Sequence, residues 1–340
     1  MRVAWLLIFL PAGLMAGAVA CGDDPGVLPA DSSINTADRW SGDREAPPDD
    51  VKDGGIADRV IADRQAPPDP CDGSVSRVNL RLMAGNISSG NNQNYDDGAG
   101  GRIFQALQPD VVMLQEFNYL SRSPADTRTF VDTYFGASFA YFRGDPSNQI
   151  PNGVISRYPI LGSGNWIDPE VNNRTFAWAR IDVPGPVDLW AVSVHLLTTN
   201  ATARNAEGAA LVGFIKANVP PGSYITVGGD FNTDNRTEPL IPTLDEVFYT
   251  KGPYPADQNG NELTSGPRSR PYDWLLVDPQ LKGRETPVKV KTNTFNTGLV
   301  FDTRTYTPLS DLMPPLLGTE SVAANMQHMP VIRDFSVVCQ

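Results

Sequence analysis

Histidine and cysteine are nearly absent from this 340-residue chain, which has two histidines, His195 and His328, and three cysteines, Cys21, Cys71 and Cys339. With no CxxC or HExxH spacing, a zinc cluster of the common kinds cannot be assembled. Basic charge is also short. There are 27 Lys and Arg against 39 Asp and Glu, a formal net charge of −12, which excludes a nucleic-acid binder that works mainly through a basic face. The N-terminal apolar stretch, Val3 to Leu14, is roughly 12 residues long and too short to span a bilayer comfortably. Apolar side chains as a class are plentiful, at 41% hydrophobic and 19% charged, so a sizeable core can form and wholesale disorder is excluded.

Residues 1–20 read as an export signal: Arg2 is the positive start, Val3 to Leu14 the apolar stretch, and Ala16 to Ala20 a small-residue exit before Cys21. Two cleavage readings compete. Ala18-Val19-Ala20 fits an A-x-A site, while Ala18-Val19-Ala20-Cys21 resembles the lipobox of bacterial lipoproteins, with Ala18 where Leu is usual. Cysteine parity favours lipidation of Cys21. That leaves Cys71 and Cys339 as an even pair that a disulfide could join in an oxidising compartment, the alternative being two unpaired thiols. From Gly22 to Pro70 the chain carries twelve acidic residues, five basic residues, seven prolines and few large apolar side chains. The expectation for 21–70 is a disordered, extended tether. Its imperfect repeat, Asp43 to Asp49 and Asp63 to Asp69, lacks apolar periodicity and suggests a spacer. More than half of the net charge belongs to this stalk.

From Cys71 onward the texture changes to short β-rich runs punctuated by Gly, Pro and Asn. The pattern predicts strands at Val78–Ile87, Asp110–Leu114, Phe139–Arg143, Gly153–Arg157, Arg174–Val183, Val187–Leu196, Tyr224–Val227, Tyr272–Val277, Val288–Lys291 and Val331–Val338. Helices are predicted at Gly98–Leu107, Pro124–Phe135 and Ala203–Ala217. Many strands with interspersed helices imply an α/β sandwich, two stacked sheets with helices outside, built as one domain over 71–340.

Six polar groups sit at the ends of these apolar runs. Asn86 and Glu116 close two of them. A carboxylate at the end of a buried strand needs compensation, and a divalent cation with hard oxygen ligands would supply it, although either residue alone could be a cap or a surface group. Asp230 and Asn232, two apart after Gly228-Gly229, can aim an oxygen and an amide at one point, or can form an ordinary Asx turn. His195 ends the run Leu189–His195, on the face opposite Trp190, Val192 and Val194, and His328 stands just before the final strand. A histidine on a strand is often structural, but imidazole is also the side chain that exchanges protons near neutral pH. Asp273, flanked by Tyr272 and Trp274, is expected to be partly buried and to seek a partner such as histidine.

The ordered set Gly85-Asn86-Ile87, Leu114-Gln115-Glu116, Asn152 to Ile160, Arg174, Val194-His195-Leu196, Gly229 to Asn232, Tyr272-Asp273-Trp274 and His328 to Val331 resembles the endonuclease/exonuclease/phosphatase superfamily. Each motif is weak singly, and it is the order of all eight that carries the resemblance, from Val78 to Val338. The resemblance implies a four-layered α/β sandwich, two stacked mixed β-sheets flanked by helices, that hydrolyses phosphoesters with Mg²⁺, or with Mn²⁺ or Ca²⁺. It implies Glu116 and Asn86 as metal residues, Asp230 and Asn232 as catalytic contacts to the phosphate and, where present, to a second metal, and an Asp273–His328 dyad that activates water. His195 would be a second catalytic histidine, and Arg174 a phosphate contact or else a surface salt bridge. One departure stands out. The family usually has Ser-Asp-His where this chain has Met326-Gln327-His328, so a metal position relying on that Asp is weakened and dependence on one metal is favoured.

Phosphodiester hydrolysis needs a nucleophilic water, a cation to offset phosphoryl charge and a proton donor for the leaving oxygen, and this residue set can supply each. The expectation is therefore a monomeric, exported phosphodiesterase. It would be a cell-surface or periplasmic lipoprotein, or secreted, touching the membrane only through the N-terminal lipid and acting on nucleic acid. The alternatives are a phospholipid substrate, as in sphingomyelinases, or a surface binding module weakened in catalysis by Gln327.

Overall fold

The computed structural model describes residues 58–60, 71, 76–89, 97–324 and 326–339. The expected export signal, the expected lipidation site Cys21 and most of the segment read as a tether lie outside the described residues. The strands are β1 (Asp58–Val60), β2 (Arg77–Asn86), β3 (Val111–Gln115), β4 (Ala140–Arg143), β5 (Gly153–Ser156), β6 (Ile160–Ile167), β7 (Thr175–Ile181) and β8 (Leu189–His195). They continue as β9 (Tyr224–Asp230), β10 (Asp273–Val277), β11 (Glu285–Thr286), β12 (Val288–Val290), β13 (Asn293–Phe295), β14 (Leu299–Val300) and β15 (Val331–Val338). The helices are α1 (Ala99–Leu107), α2 (Pro124–Tyr134), α3 (Ala201–Asn218), α4 (Leu240–Leu244) and α5 (Pro279–Lys282).

Two mixed sheets stack face to face. One runs β1-β4-β5-β3-β2-β15-β11, with β14 also pairing β15, and the other runs β10-β9-β8-β7-β6. Alternation along each strand sorts the side chains into layers. Leu80, Leu82 and Ala84 of β2 meet Leu189 and Ala191 of β8 and Leu275 and Val277 of β10 between the sheets. The opposite face of the first sheet, with Met83, Val112 and Ile332, is covered by Ile103 and Phe104 of α1 and Phe130 of α2. The opposite face of the second sheet, with Val192, Val194 and Leu276, is covered by Leu211 and Ile215 of α3 and Leu240 of α4. The result is the four-layered α/β sandwich expected from the sequence. Each fully buried large side chain contributes about 1.5–3 kcal/mol, so the three clusters together dominate the favourable side of folding.

The helix ends follow from local chemistry. Ser123 caps α2 by accepting from the Asp126 N–H, with Pro124 in the first turn, and Asn200 caps α3 by accepting from the Thr202 and Ala203 N–H groups. Gly228 lets the sheets come close together, since a Cβ there would lie 2.6 Å from Met113 Cε and 2.9 Å from Ala84 Cβ.

The structure adds elements to the sequence reading. β6 carries Gly162, Ser163, Gly164 and Asn165 where alternation would demand apolar groups. It forms because Gly164 makes room for the Trp178 indole, which a Cβ there would approach to 2.9 Å. Within the segment read as tether, Asp58–Val60 pairs antiparallel with Tyr141–Arg143 at the sheet edge, so that stretch is not a free spacer.

Cys71 and Cys339 form a disulfide that spans 268 residues of sequence and joins the two ends of the domain. Closing so long a loop restricts the unfolded chain, so replacing both cysteines by serine should lower the unfolding free energy by roughly 2–5 kcal/mol. Urea unfolding of the variant against the oxidised parent measures this, and equal midpoints would show that the bridge adds nothing.

Candidate active site

Strand direction brings the polar groups to one edge of the sandwich. β2 and β3 are parallel, as are β8 and β9, so Asn86, Gln115, His195 and Asp230 all emerge at C-terminal strand ends. β10 runs antiparallel to β9 and begins there, with Asp273 opposite Asp230. β15 runs antiparallel to β2 and starts at Val331 opposite Ala84, three residues after His328. Parity then aims the side chains inward. Asn86 shares a face with Leu80, Leu82 and Ala84, His195 with Leu189 and Ala191, and Asp273 with Leu275 and Val277, all between the sheets. Glu116 breaks this pattern, because continuing β3 would point it toward the α1 and α2 side. A positive φ of 55° turns the chain out of the pleat and swings Glu116 into the same pocket.

The groups converge on Asp230. Asn86 Nδ2 donates to Asp230 Oδ2 and to Glu116 Oε1, each at 3.1 Å. His195 Nε2 lies 3.4 Å from Asp230 Oδ2, and His328 Nε2 lies 3.5 Å from the same oxygen. His328 Nδ1 is 3.0 Å from Asp273 Oδ2, and the Asp273 N–H is anchored on Thr264 Oγ1 at 2.7 Å. Asn232 Nδ2 donates to Leu196 O at 3.0 Å, and its own N–H donates to Asp230 Oδ1. Glu116, Asn86, His195, Asp230, Asn232, Asp273 and His328 are all buried.

Burial and charge divide the two histidines. For His328, burial alone would lower the affinity for a proton, but Asp273, Asp230 and Glu116 outweigh it and push the imidazole up to about 10. For His195, burial, with Arg174 and His328 acting in the same sense, holds the ring well below its ordinary value. Burial pushes Asp230 up to about 6, Asp273 adding to the effect and His328 opposing it. The resting site therefore holds a charged His328 and a neutral His195, and His328 can serve as the expected base only when the surrounding carboxylate charge is offset. A proton held this tightly affects stability. The His328 contribution is fully present below its unfolded value of 6.5 and is lost as pH rises toward about 10. In the presence of chelator, the stability advantage of the wild type over His328→Gln should shrink across that window, as urea unfolding at several pH values will read. An advantage that grows with pH would contradict the assignment.

The donor set fits a divalent cation. Glu116 Oε1 lies 3.8 Å from His195 Nδ1, and ligand atoms of Asp230, Asp273 and His328 all lie within 4.8 Å of one another, so three carboxyls surround the two imidazoles. Asp273 Oδ1 and His195 Nδ1 are buried and have no hydrogen-bond partner. Carboxylate oxygens of this kind suit Mg²⁺ or Ca²⁺. Two expected roles need revision. Asn86 presents its amide nitrogen to the carboxylates, while its Oδ1 accepts the Ser88 N–H at 2.7 Å. It therefore compensates Glu116 and Asp230, and would offer an oxygen to a cation only by turning over and giving up Ser88. Arg174, read as a phosphate contact or a surface salt bridge, is 3% exposed, and its Nε and Nη2 donate to the carbonyls of His195 and Leu196 at 2.6 and 3.2 Å. It braces the end of β8 from behind. Gln327 is half-buried and uses its carbonyl to accept the Gly266 N–H.

Several contributors are given no role by the sequence reading. Gln115 Nε2 bonds Ser193 Oγ at 2.8 Å and so bridges the two sheets beneath the site. Thr264 and Ser265, in the long loop before β10, seat Asp273 and pair with His328. Buried Asp168 and Glu207 lie beside the end of β8, where Glu207 accepts the Leu197 N–H. Their only sequence trace is polarity inside apolar surroundings.

Residues 86–290 match the family model described as Endonuclease/Exonuclease/phosphatase family. The match begins at Asn86 and stops short of His328, which the dyad geometry ties to the rest. No curated protein matches the chain by sequence. Among solved structures, an endonuclease/exonuclease/phosphatase from Bacteroides vulgatus is similar over 77% of this chain and 99% of its own, at 14% identity and TM-score 0.51. D. rerio TDP2 complexed with single strand DNA product is similar over 76% of this chain and 99% of its own, at 16% identity and TM-score 0.51. A functionally unknown conserved protein from Enterococcus faecalis V583 covers 76% of this chain and 100% of its own, at 11% identity and TM-score 0.52. At these identities the likeness is one of fold.

Proposed function

Because the chain belongs to the endonuclease/exonuclease/phosphatase family, we propose that it is a divalent-metal-dependent phosphodiester hydrolase acting on nucleic acid. The observation that carries this reading is the Asp273–His328 pair at 3.0 Å, with both histidines meeting at Asp230. Glu116 and Asp230 would hold the cation, which when bound offsets the charge of these carboxylates and of the phosphoryl oxygens. Asp273 fixes His328 through Nδ1, leaving Nε2 to accept the proton of the attacking water once that charge is offset. Asn232, held by Leu196 O, is placed to contact a phosphoryl oxygen. His195, neutral and without a hydrogen bond at Nδ1, is placed to hydrogen-bond the leaving oxygen, whose proton would come from solvent water. The TDP2 structure that shares this fold holds a single strand DNA product, which supports the substrate class.

Export and lipid attachment at Cys21 belong to the same proposal, as does a monomeric chain in which 71–340 forms one catalytic domain. The Cys71–Cys339 disulfide favours an oxidising compartment. A phospholipid substrate is the second reading. It is favoured by Met313, Leu317 and Val322, which are exposed on the segment leading into His328. A panel of plasmid DNA, single-strand DNA, RNA and sphingomyelin vesicles, each with Mg²⁺, Mn²⁺ or Ca²⁺, separates the two. Cleavage of a nucleic acid but not of vesicles is expected, and intact nucleic acids with hydrolysed vesicles would reverse the assignment.

A further inference from the structure

A second buried acidic pair lies behind β8, apart from Asp230 and Asp273. Asp168, in the loop after β6, is 3% exposed, and Glu207, on the buried face of α3, is 0% exposed. The two carboxyls are close enough for each to act on the other's proton. Donors around them are few. The Leu197 N–H reaches both Glu207 oxygens at 3.0 Å, the Glu170 N–H reaches Asp168 Oδ1 at 3.0 Å with the Val171 N–H also acting on that carboxyl, and Asp168 Oδ2 has no hydrogen-bond partner. Arg174 acts on both carboxyls, while the next cation along α3, Arg204, is paired with Glu238 and Asp234.

Two neighbouring buried carboxylates that share one arginine leave an excess negative charge where water cannot disperse it. One proton between them removes the excess and supplies the donor that Asp168 Oδ2 lacks. We propose that Glu207 is a positioning residue that works as a neutral acid, donating its proton to Asp168 while accepting the Leu197 N–H, and so fixing the strand end His195-Leu196-Leu197. Burial first, and then the Asp168 charge, push Glu207 up to about 9, which agrees with a proton resting there at neutral pH.

That strand end carries three parts of the site. It bears His195 itself. Leu196 O accepts from Asn232 Nδ2 at 3.0 Å, and the Leu196 N–H donates to Asp230 O at 2.9 Å. Charging Glu207, or removing it, would disturb all three at once, and a misplacement of about 1 Å can cost about 10²-fold in rate. The kinetic consequence rests on the hydrolase reading above, but the proton does not.

The test uses the full chain in two readouts. Infrared difference spectra between the wild type and Glu207→Gln at neutral pH should show a protonated-carboxyl C=O band in the wild type that the variant lacks. Glu207→Ala should lose about 10²-fold in kcat with little change in KM. Glu207→Gln, whose amide can donate to Asp168 and accept the Leu197 N–H, should restore activity to within about threefold of the wild type, a small part of the 10–100-fold range seen when supporting residues fail. A band that persists in Glu207→Gln overturns the proposal, and so does a Glu207→Gln rate as low as that of Glu207→Ala. Should Glu207→Ala fail to fold, the infrared comparison still decides. An inactive wild type would count against the hydrolase reading, whereas a missing band counts against this one.

Discussion

Replacing His328 by glutamine is expected to lower kcat by ~10² to 10⁴-fold while leaving the fold intact, the range associated with losing a positioned proton-transfer group. Glutamine is the informative choice because its amide can still donate to Asp273 Oδ2, whereas alanine would leave a buried carboxylate with no partner and blur a kinetic effect with a loss of stability. The imidazole sits between two carboxylates, with Nδ1 on Asp273 and Nε2 facing Asp230 at 3.5 Å. Only the second nitrogen can meet substrate, so the substitution removes the proton acceptor without moving its anchor. Steady-state kinetics with thermal unfolding as a control measures the effect. A rate within threefold of the parent would mean that another group takes the proton.

The second large effect is expected at Glu116. Glu116→Gln keeps the size of the side chain and its bond with Asn86 but removes a negative charge from a set of three carboxyls. Cation affinity should fall by about 10–100-fold or more, since loss of a charged ligand should exceed the loss typical of the residues that merely support one. The same change should leave the cation-free protein as stable as the parent or more so, because it relieves repulsion among buried carboxylates. Calorimetric titration with Mg²⁺ or Mn²⁺ and chelated unfolding curves give both numbers. Unchanged cation affinity would remove Glu116 from the metal site.

Much of this site was legible in strand parity. Asn86, His195 and Asp273 each fall on the inward register of an apolar run, so alternation alone placed them between the sheets once strand direction was known. Glu116 was legible as a strand-ending carboxylate but not in its direction, which depends on a left-handed backbone that no pattern in Val111–Gln115 announces. Proton positions were illegible as well. His328 reads from the sequence as a base, whereas three neighbouring carboxyls distant in the chain make it a cation at rest. Arg174 sits at the start of a strand, as a phosphate contact might, and only the three-dimensional arrangement turns it toward the carbonyls of His195 and Leu196. β6 escaped for a packing reason, since the space that Gly164 leaves for Trp178 has no signature in apolar periodicity.

The most direct measurement of the central claim is hydrolysis of single-strand DNA by the purified full chain, stripped with EDTA and then supplied with Mg²⁺, Mn²⁺ or Ca²⁺, beside His328→Gln under the same conditions. Activity that vanishes on chelation, returns with a divalent ion and remains low in the variant is the predicted result. Hydrolysis that ignores EDTA, or an equal recovery in His328→Gln, would contradict a metal-centred site built on the Asp273–His328 dyad.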